Sequence, residues 1–388
     1  MSRYRLGLGV RHLVSATALF LCACSSGSNT AADMAGATED QSGSIPDGAT
    51  GGDLSGAVNV AGVHATQAQG RYFPDSAPWY QDVSGAKLAA DSAAITQYMT
   101  TAAGPNGWVT GTLKVDFSIA AVNVPSGTAK RAYQIDTGFY YTPDCDRASV
   151  PLPSGGVVED YPSPPLTTPF SGYNCSGFAG GSDCHILLVA RGEKRLYELY
   201  HATVDNGGAF RAGCLAIWDT TTVNPNGRGQ QCTSADAAGF PVAPLLFSAD
   251  EIKAGVIDHA IRFILPNNMI RAKKYVAPAT HGTNTTGPAT TGPYGFRMRL
   301  RANYPVNTLS PAAQVVAKAL QKYGMLMADG GNITLTAQND TLSTVKWADV
   351  GFNANSLSAL KASDFEVIDY GTPSDVTFNC TRQQIIEP

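Results

Sequence analysis

The chain has 388 residues with 27 basic and 31 acidic side chains, a formal charge of −4 and only 15 % charged residues. That balance argues against a nucleic-acid partner, which needs a basic face. The 40 glycines and 23 prolines, set among many Ser, Thr and Ala, suit a turn-rich β protein working outside the cytoplasm.

Arg3, Arg5 and Arg11 precede an apolar run, Leu13 to Leu21, that is too short to span a bilayer as a helix. A basic start, an apolar core and small residues in that order form a secretory signal, so residues 1–23 read as a signal peptide. Its end, Leu21-Cys22-Ala23-Cys24, resembles the lipobox of bacterial lipoproteins. The resemblance implies that Cys24 is lipidated and becomes the first mature residue, holding the protein in the bacterial cell envelope. Ser25 behind it implies the outer membrane. Several acyl chains make such an anchor stable, and no later segment is apolar enough to enter the membrane. Residues 24–70, rich in Ser, Gly, Ala, Thr and Asp, bury too little to offset their ordering entropy and read as a tether reaching about 35–40 Å.

Folded sequence is expected over residues 71–388 as one β-rich domain or two packed subdomains, with Tyr72, Trp79 and Tyr80 as first anchors. A short helix fits residues 91–100. Leu113, Val115, Phe117 and Ile119 alternate with polar residues, the signature of a half-buried strand. The phase slips at Ala120-Ala121, which marks either a bulge or the strand's end. Further strands are predicted over 131–141, 184–190, 195–204, 214–218, 259–265, 296–302 and 332–337. The Pro-, Gly- and Cys-rich stretch 142–182 reads as a long stapled loop, a kind that is often functional. Ser248 with Glu251 forms a capping-box pattern for a short helix. Ser310, Pro311 and Gly324 bracket a longer one, and Gly330-Gly331 looks like a hairpin turn. Many short strands with one or two short helices predict an antiparallel β-sandwich of jelly-roll type.

Once Cys22 and Cys24 are set aside, six cysteines remain, an even number that reads as disulfides in an exported chain. Fifteen pairings are open in principle, and short loops favour Cys214 with Cys232 and Cys145 with Cys175. No Cys-x-x-Cys occurs, so no metal is expected, and no cofactor motif is present. The nucleophile elbow, the zinc-protease helix, the phosphate loop and the EF-hand loop are all missing.

The informative constellation runs from Asp183-Cys-His185 through Tyr197-Glu198-Leu-Tyr200. A turn at Arg191-Gly-Glu-Lys194, symmetric about Gly192-Glu193, puts Leu187 opposite Glu198 and His185 opposite Tyr200. His185, Glu198 and Tyr200 then share one face of the sheet. An acid and an imidazole on an apolar face form either a satisfied core pair or a proton-transfer pair, because burial raises a carboxyl toward useful values. A glycosidase needs a second carboxylate, and Asp183, Asp250, Glu251 and Asp258 are candidates. His259 and His281 are further acid–base candidates. Arg297, Arg299 and Arg301 alternate along one strand, either to hold a polyuronate or as a solvated face. Trp218, Trp79 and the tyrosines can serve as sugar platforms or as core.

From Trp79 to about Asp369 the chain also resembles a group of secreted microbial proteins without an assigned activity. The matching stretches are Ala77-Pro-Trp79, Asp183-Cys-His185 with Tyr197-Glu198, Thr233 to Gly239, Asp250 to Gly255 with Asp258 to Ile261, Pro278 to His281, and Lys322 to Gly324 with Ala328 to Gly330. That group carries Gly where Cys184 stands here, which implies a disulfide beside the site. The reading that follows is a surface-anchored enzyme, hydrolase or lyase, acting on a polysaccharide. The alternative is a glycan- or envelope-binding protein without catalysis.

Overall fold

The computed structural model describes residues 62–101, 107–161, 166–223 and 227–388. The signal segment, Cys24 and most of the tether lie outside the described residues. Among those described, no helix is long and apolar enough to cross a membrane.

The first strands are β1 (Lys114–Ile119), β2 (Ala121–Asn123), β3 (Lys130–Arg131), β4 (Gln134–Ile135), β5 (Val150–Pro151), β6 (Ile186–Ala190), β7 (Arg195–Val204) and β8 (Phe210–Asp219). The second half adds β9 (Ile261–Leu265), β10 (Ile270–Tyr275), β11 (Gly292–Tyr294), β12 (Arg297–Leu300), β13 (Met325–Gly330), β14 (Thr334–Gln338), β15 (Phe365–Val367) and β16 (Ser374–Asp375). Helices are few: α1 (Ser92–Thr101), α2 (Ala249–Ala254) and α3 (Pro311–Lys322), with several short 3-10 turns. The chain is mainly β, as its composition predicts.

The two larger sheets are mixed rather than purely antiparallel. One runs β1-β14-β9-β13-β12-β15, with β1/β14 and β9/β13 parallel. The other runs β2-β6-β7-β8-β4, with an antiparallel meander at its centre and parallel pairs at both edges. The phase slip at Ala120 has a structural cause: the chain leaves the first sheet at Ile119 and enters the second at Ala121. Two other expectations are corrected. Residues 131–141 form no single strand but break into β3, β4 and a 3-10 turn. Gly330-Gly331 closes no hairpin, because β9 lies between β13 and β14 and bonds to both.

The meander is buried on both faces. Leu187, Val189, Leu196 and Ala216 join a core shared with the six-stranded sheet. Ile186, Leu188, Tyr197 and Leu199 face a second core, roofed by Val150, Leu152, Val158 and Tyr173 of the long loop. Two-sided burial explains why β6 reads Ile-Leu-Leu-Val-Ala without alternation. Order begins earlier than residue 71: Val63 O accepts from Asn123 N at 2.8 Å, and Thr66 Oγ1 meets Ser248 Oγ at 2.8 Å. Backbone pairing along the edge of β2 supplies what the polar composition could not reveal.

The three disulfides are Cys145–Cys214, Cys175–Cys184 and Cys232–Cys380. The expected pairs Cys214–Cys232 and Cys145–Cys175 do not form. Loop-closure cost grows only with the logarithm of length, so spacing discriminates poorly. Sheet geometry decides instead: Asp146 bridges Leu215, which brings Cys145 against Cys214 in β8.

Candidate functional site

The hairpin register is as the symmetric turn requires, with Leu187 opposite Glu198. His185, just before β6, lies against the Tyr200 ring, centroids 5.6 Å apart. Glu198 and His185 share a face, yet neither bonds the other. Both grip the buried, irregular segment 233–243 instead.

Up to the 3-10 turn at Ala243–Leu245 that segment has no strand or helix to satisfy its backbone, so side chains from surrounding elements do so. Glu198 Oε1 accepts from Val242 N and Ala243 N, both at 2.8 Å, and Oε2 accepts from Trp218 Nε1 at 3.0 Å. His185 Nε2 donates to Ala235 O at 2.8 Å, and His281 Nδ1 donates to Ala237 O at 2.8 Å. Asp236 accepts from Arg262 Nε at 2.9 Å. Two predicted histidines therefore clasp one turn. The third, His259, bonds Glu251 at the start of α2 and its neighbour Ala260 O, away from this segment's hydrogen bonds.

The ionic centre gathers residues that sequence reasoning missed. His185 Nδ1 sits 2.6 Å from Glu159 Oε2, and Glu159 is held in turn by the backbone N–H of His185 at 3.0 Å. Both ring nitrogens face oxygens, and an imidazolium donates to each of them. Burial alone pulls its pKa down, but the carboxylates of Asp183 and Glu159 outweigh that and raise it to about 10. Arg262 reaches Asp329 Oδ2 at 3.2 Å and Thr336 Oγ1 at 3.0 Å. Burial raises Asp329 to about 7 against the pull of Arg262, although 23 % of its side chain remains accessible. Burial likewise raises Glu198 to about 7.

Access separates these groups. Glu198 is 0 % exposed, so the acid proposed for it has no path to a polymer. Asp183 leaves 60 % of its side chain open, Asp329 is partly open, and Tyr200 stands in the field of both. Asp250, Glu251 and Asp258 are engaged elsewhere, with Ser343, the α2 cap and Arg71. The arginine row is half-buried and engaged by protein acceptors, with the Arg301 side chain still 41 % exposed. Arg297 donates to three backbone carbonyls, of Tyr323, Pro78 and Gln81. Arg299 takes Glu366 and the carbonyls of Val83 and Ser84, and Arg301 takes Ser363 O and Glu366. Trp218 lines a surface cavity together with Trp79.

Glu159, Asp183 and His185 present ligand atoms within 4.8 Å of one another and could in principle hold a cation. Within this grouping Nδ1 and Glu159 Oε2 lie 2.6 Å apart and bond to each other. The other such grouping, Asp144 with Cys232 and Cys380, uses sulfurs already joined to each other. Comparison with protein families, curated proteins and solved structures finds no match to this chain.

Proposed function

We propose that this protein is a lipid-anchored enzyme of the bacterial envelope that cleaves a polysaccharide by acid–base chemistry. Asp329 is the acid, and Asp183 the second carboxyl of the pair; burial raises Asp183 as well, and the cations of His185 and Arg262 pull it back toward ionisation. One observation carries the reading: Asp329, which burial raises to about 7, keeps 23 % of its side chain open and lies in the electrostatic field of Asp183, whose side chain is 60 % open. A general acid works best with a pKa near the operating pH, and a glycosidase pairs such an acid with an ionised carboxylate. Arg262 and the imidazolium of His185 set the charge around the pair, as positioning residues. The Tyr200 hydroxyl lies in the field of both carboxyls, and its ring packs against His185. Glu198 acts from behind, holding Trp218 and the 233–243 turn.

Hydrolysis is favoured over lyase chemistry because the arginines that would neutralise a uronate carboxylate are bonded to protein acceptors. A sandwich-like stacking of the two larger sheets belongs to the same proposal. Its support is the single core shared by Leu187 and Val189 of one sheet with Val115, Phe263 and Leu335 of the other.

The test is incubation of the soluble mature chain with neutral and acidic polysaccharides, following new reducing ends and the absorbance of unsaturated uronates. Reducing ends without that absorbance support a hydrolase. Absorbance from uronates would make it a lyase, and silence on every polymer would leave a binding protein.

A further inference from the structure

We infer that the cavity between Trp79 and Trp218 is a subsite for a neutral sugar unit. The inference rests on the proposal that the protein meets polysaccharide, but it uses none of the acid–base residues. The cavity has about 330 Å³, at the small end of ligand sites and suited to a mono- or disaccharide. Its walls include Phe73, Trp79, Trp218 and Phe240, with Arg228 and Asp219 as polar members. Phe73 and Trp79 meet edge to face, centroids 5.1 Å apart, and the Arg228 guanidinium lies 5.6 Å from the Trp218 ring centre. Trp218 is fixed by its indole N–H on Glu198. A rigid aromatic wall of this kind suits the C–H face of a sugar ring.

The polar members choose between sugars. Arg228 is 8 % exposed and gives its terminal nitrogens to Asp146, Ile217 O and Asp144 O. Its Nε has no acceptor among the described residues. Arg382, also on the wall, bonds Asp146 from the other side at 2.7 Å. Both cations are thus committed to Asp146, and Asp219 adds a carboxylate to the rim. Sugar hydroxyls, which both accept and donate, match this mixed wall; a carboxylate meets repulsion from Asp219.

Two of the four tryptophans sit in this wall, so indole fluorescence reports occupancy. The full mature chain is titrated with cellotriose, mannotriose and trigalacturonate. A saturable shift with a neutral trisaccharide, weakened about tenfold or more by Trp218→Ala and by Thr222→Trp, supports the subsite. Thr222 is an exposed rim residue, so its variant blocks the cavity with an unchanged melting temperature even where loss of Trp218 disturbs the fold. No shift with either neutral sugar, tighter binding of trigalacturonate, or a shift indifferent to Thr222→Trp would each overturn the inference. Binding that survives Asp329→Asn while hydrolysis is absent separates the subsite from the proposed chemistry. Hydrolysis without binding here would leave the chemistry standing and remove the subsite.

Discussion

At the scale of single residues, burial does more than proximity to assign roles. Glu198 and Asp329 are both raised to about 7, but only Asp329 is reachable. Glu198 is instead a stability element with a pH signature. Its ordinary value is 4.5 and its folded value about 7, so its contribution is full below pH 4.5 and declines as pH rises through 7. The decline amounts to roughly 3 kcal/mol. Urea unfolding of Glu198→Gln at a series of pH values will lack this slope, and the variant will be less stable than the native chain at the acid end. An identical slope in both proteins would mean that Glu198 is not buried as described. Arg262 is the second sensitive point. Arg262→Met leaves Asp236, fully buried, without its cation, and denaturant titration will show a loss of about 3–5 kcal/mol.

At the scale of elements, sequence patterns predicted local structure well and long-range pairing poorly. Helix α3 begins with the Ser310 side chain accepting from Ala313 N, takes Pro311 in its first turn and ends before Gly324. Gly324 has φ +67, and a Cβ there would stand 2.3 Å from Met298 O. Gly324→Ala will lower stability by more than about 1 kcal/mol, whereas Gly192→Ala, in open space at the hairpin turn, will change little. Equal melting temperatures for the two would contradict the α3–β13 junction. The β6–β7 hairpin was legible because a tight turn fixes register within a few residues. The position of β9 between β13 and β14 was not, because no local pattern says which distant strand fills a gap. The same limit hid the site. The stretches containing Asp236 and Asp329 stood out as motifs, but their common partner Arg262 came from an apolar strand that gave no sign of it. Glu159 lay within the loop singled out as functional, and its bond to His185 needed the fold.

At the scale of the whole molecule, long cross-links and one shared core tie the ends of the described chain to its middle. Cys232–Cys380 closes 148 residues and brings the C-terminal segment against the second sheet, where Arg195 forks onto Glu387 at 2.6 and 2.8 Å. Replacing both cysteines by Ser will cost on the order of 5 kcal/mol in the chain-entropy description, read as a lower denaturation midpoint. An unchanged midpoint would show that ion pairs and packing alone hold that segment. The same framework keeps Asp329 and Asp183 open at a surface while Glu198, His185 and Arg262 stay inside. The most direct test of this account is the pH profile of reducing-end release from whichever polysaccharide responds, for the native chain and for Asp329→Asn. The expected result is a limb that falls as pH rises through about 7, and a loss of about 10²–10⁴-fold in the variant with its melting temperature retained. Full activity in Asp329→Asn, or a native profile flat through neutrality, would contradict it.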